Sequence, residues 1–148
     1  IKPHLAGTEN GSAGRVVIGV VEGDTHDIGE NLVKIMLESS GFDVHDLGRD
    51  VPLQKFIDEA AEFQAHMICL SSLMTTAMSG MKELIGMLET KGLRNKYKIM
   101  VGGGPISQSF AEAIGADGYA SNAVNAVKKA KELLTDKEAL GTKELCQL

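Results

Sequence analysis

The residues best suited to chemistry lie together as Asp24-Thr25-His26-Asp27, followed by Ile28 and Gly29. Imidazole changes charge near neutral pH without help, and in its neutral form it is the commonest protein ligand for a transition metal. A carboxylate on the second ring nitrogen fixes the tautomer and raises the basicity of the first. Asp24, two residues before His26 in an extended turn, can reach that nitrogen. Asp27 reads as a cap for the helix that follows, a role Asp24 can share. His4, His45 and His66 belong to other segments, and no cysteine stands at ligand spacing from His26.

The elements that must position these residues alternate. β-Branched, apolar runs at 15–21, 42–48, 66–72, 97–103 and 117–121 read as strands. Helical periodicity fills 28–41, 52–65, 75–92, 107–115 and 123–134. The first helix has Ile28, Leu32, Ile35 and Met36 as its expected buried face and stops at Gly41. The Met74, Met78, Met81 stripe reads as core packing, Cys69 as a small buried hydrophobe, and His45 and His66 as surface residues. Five strands alternating with five helices predict a doubly wound α/β domain, flavodoxin-like or Rossmann-like. Its five-stranded parallel sheet carries helices on both faces. Ligands of such sheets bind outside the carboxyl ends of the strands, where the strand order reverses. Loops 22–27, 71–75 and 102–106 therefore share one rim, and His26 lies on it rather than in the core.

Several rim chemistries fit poorly. A dinucleotide site needs G-x-G-x-x-G after the first strand, whereas here the glycines fall at 19, 23 and 29 among acids at 22, 24 and 27. A phospho-receiver needs an aspartate ending the third strand, where this chain has Ser71-Ser72. A flavin site wants aromatic walls, and aromatic residues make up 4% of the chain. Metal chemistry through His26 remains. One protein ligand cannot hold a bare metal ion, so the metal must bring its own equatorial donors, as a tetrapyrrole-like macrocycle does. Haem calls for an apolar pocket with aromatic walls. A corrinoid calls for a slot lined by small residues, to take its long nucleotide tail.

Three sequence elements fall in register with the strand ends. Asp24-Thr25-His26-Asp27-Ile28-Gly29 matches D-x-H-x-x-G; after 30–70 comes Ser71-Ser72-Leu73, matching S-x-L; after 74–101 comes Gly102-Gly103. In order and spacing this pattern resembles the cobalamin-binding domains over roughly residues 15–134. Its wording most resembles the corrinoid proteins of anaerobic methyltransferase systems, relatives of the methionine synthase cobalamin domain. The resemblance implies cobalamin or a related cobamide, alternating between methylcob(III)amide and cob(I)amide, with His26 as lower axial ligand to cobalt and Asp24 behind it. It implies that Thr25, Asp27, Ile28 and Gly29 surround the ligand loop and that Ser71 bonds the detached base. It implies that Leu73, Gly102 and Gly103 line the tail slot, where a Cβ would collide with the ligand, and that Thr75 and Gly104 are further contacts. Uptake of a proton by the His–Asp pair as the ligand leaves would couple protonation to demethylation.

The same resemblance implies the methyl-carrier component of a corrinoid-dependent methyltransferase system, one that supplies little acid–base chemistry beyond the catalytic pair His26 and Asp24. Its partners would be a substrate-specific methyltransferase, a second methyltransferase passing the methyl to coenzyme M or tetrahydrofolate, and a reductive activator. Two other readings share the motifs: the cobalamin-binding small subunit of an adenosylcobalamin-dependent mutase, and a corrinoid-binding sensor module. One departure from the pattern concerns the relay. Methionine synthase extends its His–Asp pair with a serine, and the matching position here is Ala77, with Thr75 and Thr76 nearby.

Composition narrows the setting. The chain has 148 residues, enough for one domain, with 43% hydrophobic and 24% charged residues. A net charge of −5 argues against a nucleic-acid backbone as partner. No apolar run approaches the roughly 20 residues that span a bilayer, and the first residues lack the apolar core of a signal peptide. Cys69 and Cys146 form no disulfide framework, which with seven Met and no Trp is expected of a cytoplasmic protein. Residues 1–14 read as a linker that follows a helical cap domain upstream of Ile1, and 15–148 as the corrinoid-binding domain.

Overall fold

The runs of Val and Ile that face apolar surroundings on both sides become the middle of a parallel sheet, as buried strands must. A computed structural model of the chain describes residues 14–23, 28–72, 74–75, 78–103 and 105–134. Its strands are β1 (Gly14–Val20), β2 (Phe42–Asp46), β3 (Met67–Ser71), β4 (Lys98–Gly102) and β5 (Gly118–Ala120). Between them run α1 (Ile28–Ser39), α2 (Leu53–Phe63), α3 (Met78–Thr90) and α4 (Gln108–Ile114), and α5 follows over 123–134. All strand pairs are parallel, in the order β2-β1-β3-β4-β5. This is the flavodoxin-like arrangement, with the order reversing between β1 and β3.

Alternation along each strand sorts the core into two layers. Val17, Ile68, Leu70, Ile99 and Val101 face α2, α3 and α4, and pack with Phe56, Met81, Leu84 and Leu88. Val16, Ile18, Met67, Cys69 and Met100 face the other way, against Leu37 of α1 and Ala126, Val127 and Ala130 of α5. Met74 and Met78 pack against the first layer and Met81 lies within it, so the methionine stripe is core, as expected. His66 is exposed and accepts the Arg15 N–H on Nδ1 at 2.9 Å. His45 is half-exposed, with Nε2 2.8 Å from Glu59 Oε1.

Strands and helices end slightly inside their expected limits. Val21 leaves β1, bridging Val51 and donating to Ser71, while α3 begins at Met78 instead of Thr75. Ahead of α3, Ser72 bonds locally to Met74. The Ser72 hydroxyl donates to the Met74 carbonyl at 3.0 Å and the Met74 N–H lies 3.2 Å from the same oxygen, a local bond that competes with helix.

The expected face of α1 is corrected. Leu32 and Ile35 are 52% and 57% exposed, whereas Glu30 and Leu37 are 1% and 0% exposed. Val33 and Met36 pack partly buried against the α1–α5 layer. Residues 30, 33 and 37, at the i, i+3, i+7 spacing of one helical stripe, meet the sheet. Hydrophobicity alone placed the stripe one step around the helix, because it could not anticipate a buried carboxyl.

The rim is tied together by main-chain bonds. Val20 N–H donates to Gly48 O at 2.8 Å, Val21 N–H to Ser71 O at 3.0 Å, and Ser72 N–H to Gly102 O at 3.1 Å. A Cβ on Gly102 would lie 2.9 Å from the Ala120 carbonyl oxygen. Gly103 has φ +130°, and a Cβ there would fall onto the Ser72 carbonyl oxygen. To the expectation that these glycines clear space for a ligand tail, the fold adds a second reason. The chain's own backbone already excludes a side chain at both positions, since only Gly permits so close a main-chain approach.

Two contrasts test this packing by urea unfolding. Leu37→Ala should cost about 2–5 kcal/mol and Ile35→Lys no more than about 0.5 kcal/mol; the reverse order would restore the Ile35 face to the core. Gly103→Ala should cost about 2 kcal/mol or more, from strain and collision. Gly29→Ala, where a Cβ meets nothing within 4 Å, should be neutral or stabilise by up to about 1 kcal/mol. Equal effects of the two glycine changes would contradict the backbone contact at Gly103.

Candidate functional site

On the face covered by α1 and α5, the two helices leave a slot at the carboxyl ends of β1, β3, β4 and β5. Its volume is about 330 Å³, within the range of small-molecule sites. Small residues make it possible. Ala120, Ala123 and Ala126 form the β5–α5 wall, Gly102 and Gly103 the floor at the end of β4, and Gly29 the opening turn of α1. The first turn of α5 is held by Asn122, whose side-chain oxygen accepts the Asn125 N–H at 2.8 Å, the usual capping contact. Ser121 Oγ accepts from Asn125 Nδ2 at 2.7 Å. Larger side chains at Ala120, Ala123 or Ala126 would occupy the slot.

Of the expected site residues, Gly29, Ser71, Gly102 and Gly103 are brought together on this slot. Ser71 ends β3 half-buried, with its carbonyl engaged by Val21. Ile28 is the first residue of α1. Thr75 is exposed and is not among the residues that line the slot. Asp24, Thr25, His26, Asp27, Leu73 and Gly104 lie outside the described residues, as do Thr76 and Ala77. The segment with His26 joins Gly23 to Ile28, so it connects the end of β1 to the start of α1. Gly23 N–H donates to Asp50 Oδ1 at 2.9 Å.

Glu30 is the functional candidate that sequence reasoning missed. It lines the slot yet is 1% exposed. The signal available was its spacing to Val33 and Leu37, but a glutamate in the first turn of a helix ordinarily faces water. Asp46 lies behind it on β2. Burial pushes the Asp46 carboxyl up, but hydrogen bonds with Glu30 and with the Gly48 N–H, together with the Lys34 ammonium, outweigh it and hold the group below the ordinary carboxylate range. The Gly48 contact is 2.8 Å and the Lys34 contact 3.5 Å.

Cys69 also lines the slot, 4% exposed. Burial, with the nearby Glu30 carboxyl, drives its thiol far above the usual range. It therefore stays protonated at neutral pH, and only thiolates attack or ligate. Among the described residues no group of three or more His, Cys, Asp or Glu is arranged to hold a metal ion. A narrow, small-walled channel beside the strand ends that lead to His26 suits the nucleotide tail of a corrinoid, and these residues fit such a group. No helix among the described residues is long and apolar enough to cross a membrane.

Comparison with known proteins agrees with this geometry. The B12-binding domain family matches residues 14–128. Dimethylamine corrinoid protein 1 of Methanosarcina mazei is 54% identical over 132 residues, which are 89% of this chain and 61% of that protein. The chain thus spans about three-fifths of the length of that relative. The solved monomethylamine corrinoid protein of Methanosarcina barkeri superposes with a TM-score of 0.78 at 43% identity, over 88% of this chain and 62% of that one. A chain of the methanol:cobalamin methyltransferase complex of the same organism gives 0.78 at 37%, over 84% and 47%. The family match covers the whole sheet, and the chain accordingly belongs to the B12-binding domain family, among the corrinoid proteins of methyltransferase systems.

Proposed function

We propose that this chain binds a cobamide with His26 on cobalt and the nucleotide tail in the α1–α5 slot, and that it carries a methyl group between two methyltransferases. The slot carries the proposal. It is narrow, small-walled, and opens at the strand ends flanking the segment that bears His26. The names of the relatives favour a methylated amine as the methyl donor, received through a substrate:corrinoid methyltransferase. The methyl would pass to coenzyme M or tetrahydrofolate through a methylcorrinoid:acceptor enzyme, with a reductive activator as third partner. The methanol:cobalamin methyltransferase complex, one chain of which shares this fold, supports docking between a corrinoid domain and a methyltransferase. An adenosylcobalamin mutase subunit or a sensor would share the slot, but none of the similar proteins described above carries such a name.

When bound, the cobalt supplies both the nucleophile and the leaving group for methyl transfer. The protein's part is binding and proton control. His26 must be neutral to ligate, so ligation weakens as pH falls. Asp24 would hold the second ring nitrogen and fix the tautomer. Ser71 would meet the detached base. The apolar walls would exclude water from the tail. Asp27 and Thr25 would shape the turn, and Leu73, Thr75 and Gly104 would complete the rim around the ligand.

An anaerobic spectrophotometric titration with hydroxocobalamin tests this reading. The chain should bind one equivalent, with an imidazole-ligated spectrum that is lost on acidification. His26→Ala should lose that signature at every pH, and Asp24→Asn should weaken ligation roughly 10–100-fold. No corrinoid binding by the unaltered chain, or an unchanged spectrum in His26→Ala, would reject it.

A further inference from the structure

Residues 24–27 join Gly23 to Ile28, the first residue of α1, and His26 is among them. How firmly such a segment is aimed depends on how its two ends are held. The far end is fixed because α1 packs on the sheet through Leu37. The near end is a glycine at φ +96°, a residue with more backbone freedom to lose than any other and no side chain to fix it. Its anchor comes from elsewhere in the chain. Gly23 N–H donates to Asp50 Oδ1 at 2.9 Å, across 27 residues of sequence.

Asp50 is itself held in place. The loop over 47–51, between β2 and α2, runs beside the end of β1. Leu47 N–H donates to Ile18 O at 2.8 Å, Val20 N–H to Gly48 O at 2.8 Å, and Val51 N–H to Val20 O at 3.0 Å. Between Gly48 and the buried Val51 the chain passes through Asp50 at φ +53°, the left-handed region where glycine is at ease and a side chain is strained. The other non-glycine residue at positive φ among the described residues is Gln64, the C-cap of α2, an ordinary use of that conformation. Asp50 ends no helix, and its side chain holds Gly23 instead. Aspartate tolerates the left-handed region better than most residues, and its carboxylate makes a charge-assisted bond to the main-chain N–H.

Resting on the reading that His26 ligates cobalt, we propose that Asp50 is a positioning residue for that ligation. Its carboxylate pins Gly23 and so fixes the direction in which the His26 segment leaves β1. The segment then gives up less freedom when His26 meets cobalt, and ligation is tighter for it. Asp50 acts through the main chain of Gly23 and not on the cofactor, and tail binding in the slot does not depend on it.

The test compares Asp50→Gly and Asp50→Asn with the unaltered full chain, each loaded with hydroxocobalamin. Two quantities are read: the equivalents of corrinoid bound, and the pH at which the imidazole-ligated spectrum is lost on acidification. Protons and cobalt compete for His26, so weaker ligation gives way at a higher pH. Asp50→Gly removes the acceptor and suits the backbone at this position. It should fold and bind one equivalent, with ligation weakened roughly 3- to 10-fold. The midpoint should therefore rise by about 0.5–1 pH unit, the same change on a logarithmic scale. Asp50→Asn, which keeps an acceptor oxygen, should stay within about 0.2 unit of the unaltered chain. An unshifted midpoint in Asp50→Gly overturns the proposal, as does a midpoint shifted equally far in Asp50→Asn. Failure of Asp50→Gly to fold overturns it too, because the carboxylate would then serve the structure. An unaltered chain with no imidazole-ligated spectrum removes the cobalt reading and this proposal together, whereas an unshifted midpoint removes this proposal alone.

Discussion

A parallel sheet has to be covered on both faces by helices, and on one face here the cover is incomplete by construction. α1 and α5 seal the lower part of the sheet through Leu37, Val127, Ala130 and Leu134. At the carboxyl ends of the strands alanines and glycines replace those larger residues, and the slot opens between the same two helices. Everything else at the site depends on that gap remaining while the rim stays rigid. The rim gains rigidity from main-chain contacts, with Gly102 against Ala120 and Gly103 against Ser72 leaving no room for a side chain. Backbone packed this closely has little freedom to collapse inward and fill the void.

The electrostatics of α1 follow the same division. Its first turns turn a glutamate inward and leave Leu32 and Ile35 in water, the opposite of what would stabilise an isolated domain. Such local conflicts between sequence pattern and environment are expected at functional sites, where other parts of the fold offset them. Here Lys34 and the Gly48 N–H stabilise the Asp46 carboxylate that stands behind Glu30, so the buried acid has charged and polar neighbours on one side and the slot on the other.

Much of the fold was legible because its signals are periodic and long. The five strands were visible as Val- and Ile-rich runs, and the right-handed connection rule left few ways to order them. The three-part motif was legible because it sits at strand ends, where the fold gathers ligand contacts. Gly29, Ser71, Gly102 and Gly103 do converge on one slot, while Thr75 is exposed and does not line it. Two things were not legible. The helical face of α1 was misplaced because Leu and Ile outweigh a lone Glu in any hydrophobicity pattern. The backbone contacts of Gly102 and Gly103 were not foreseen, because a close approach between two backbones far apart in sequence leaves no trace except the glycine itself.

The central claim, that the α1–α5 slot receives the tail of a corrinoid, is tested most directly by amide hydrogen exchange with and without one equivalent of hydroxocobalamin. Binding in the slot should slow exchange across 28–33, 100–103 and 118–126, and leave the opposite end of the sheet near Arg94 and Asp117 unchanged. Protection that is absent from those three segments, or spread evenly over the chain, would contradict the account.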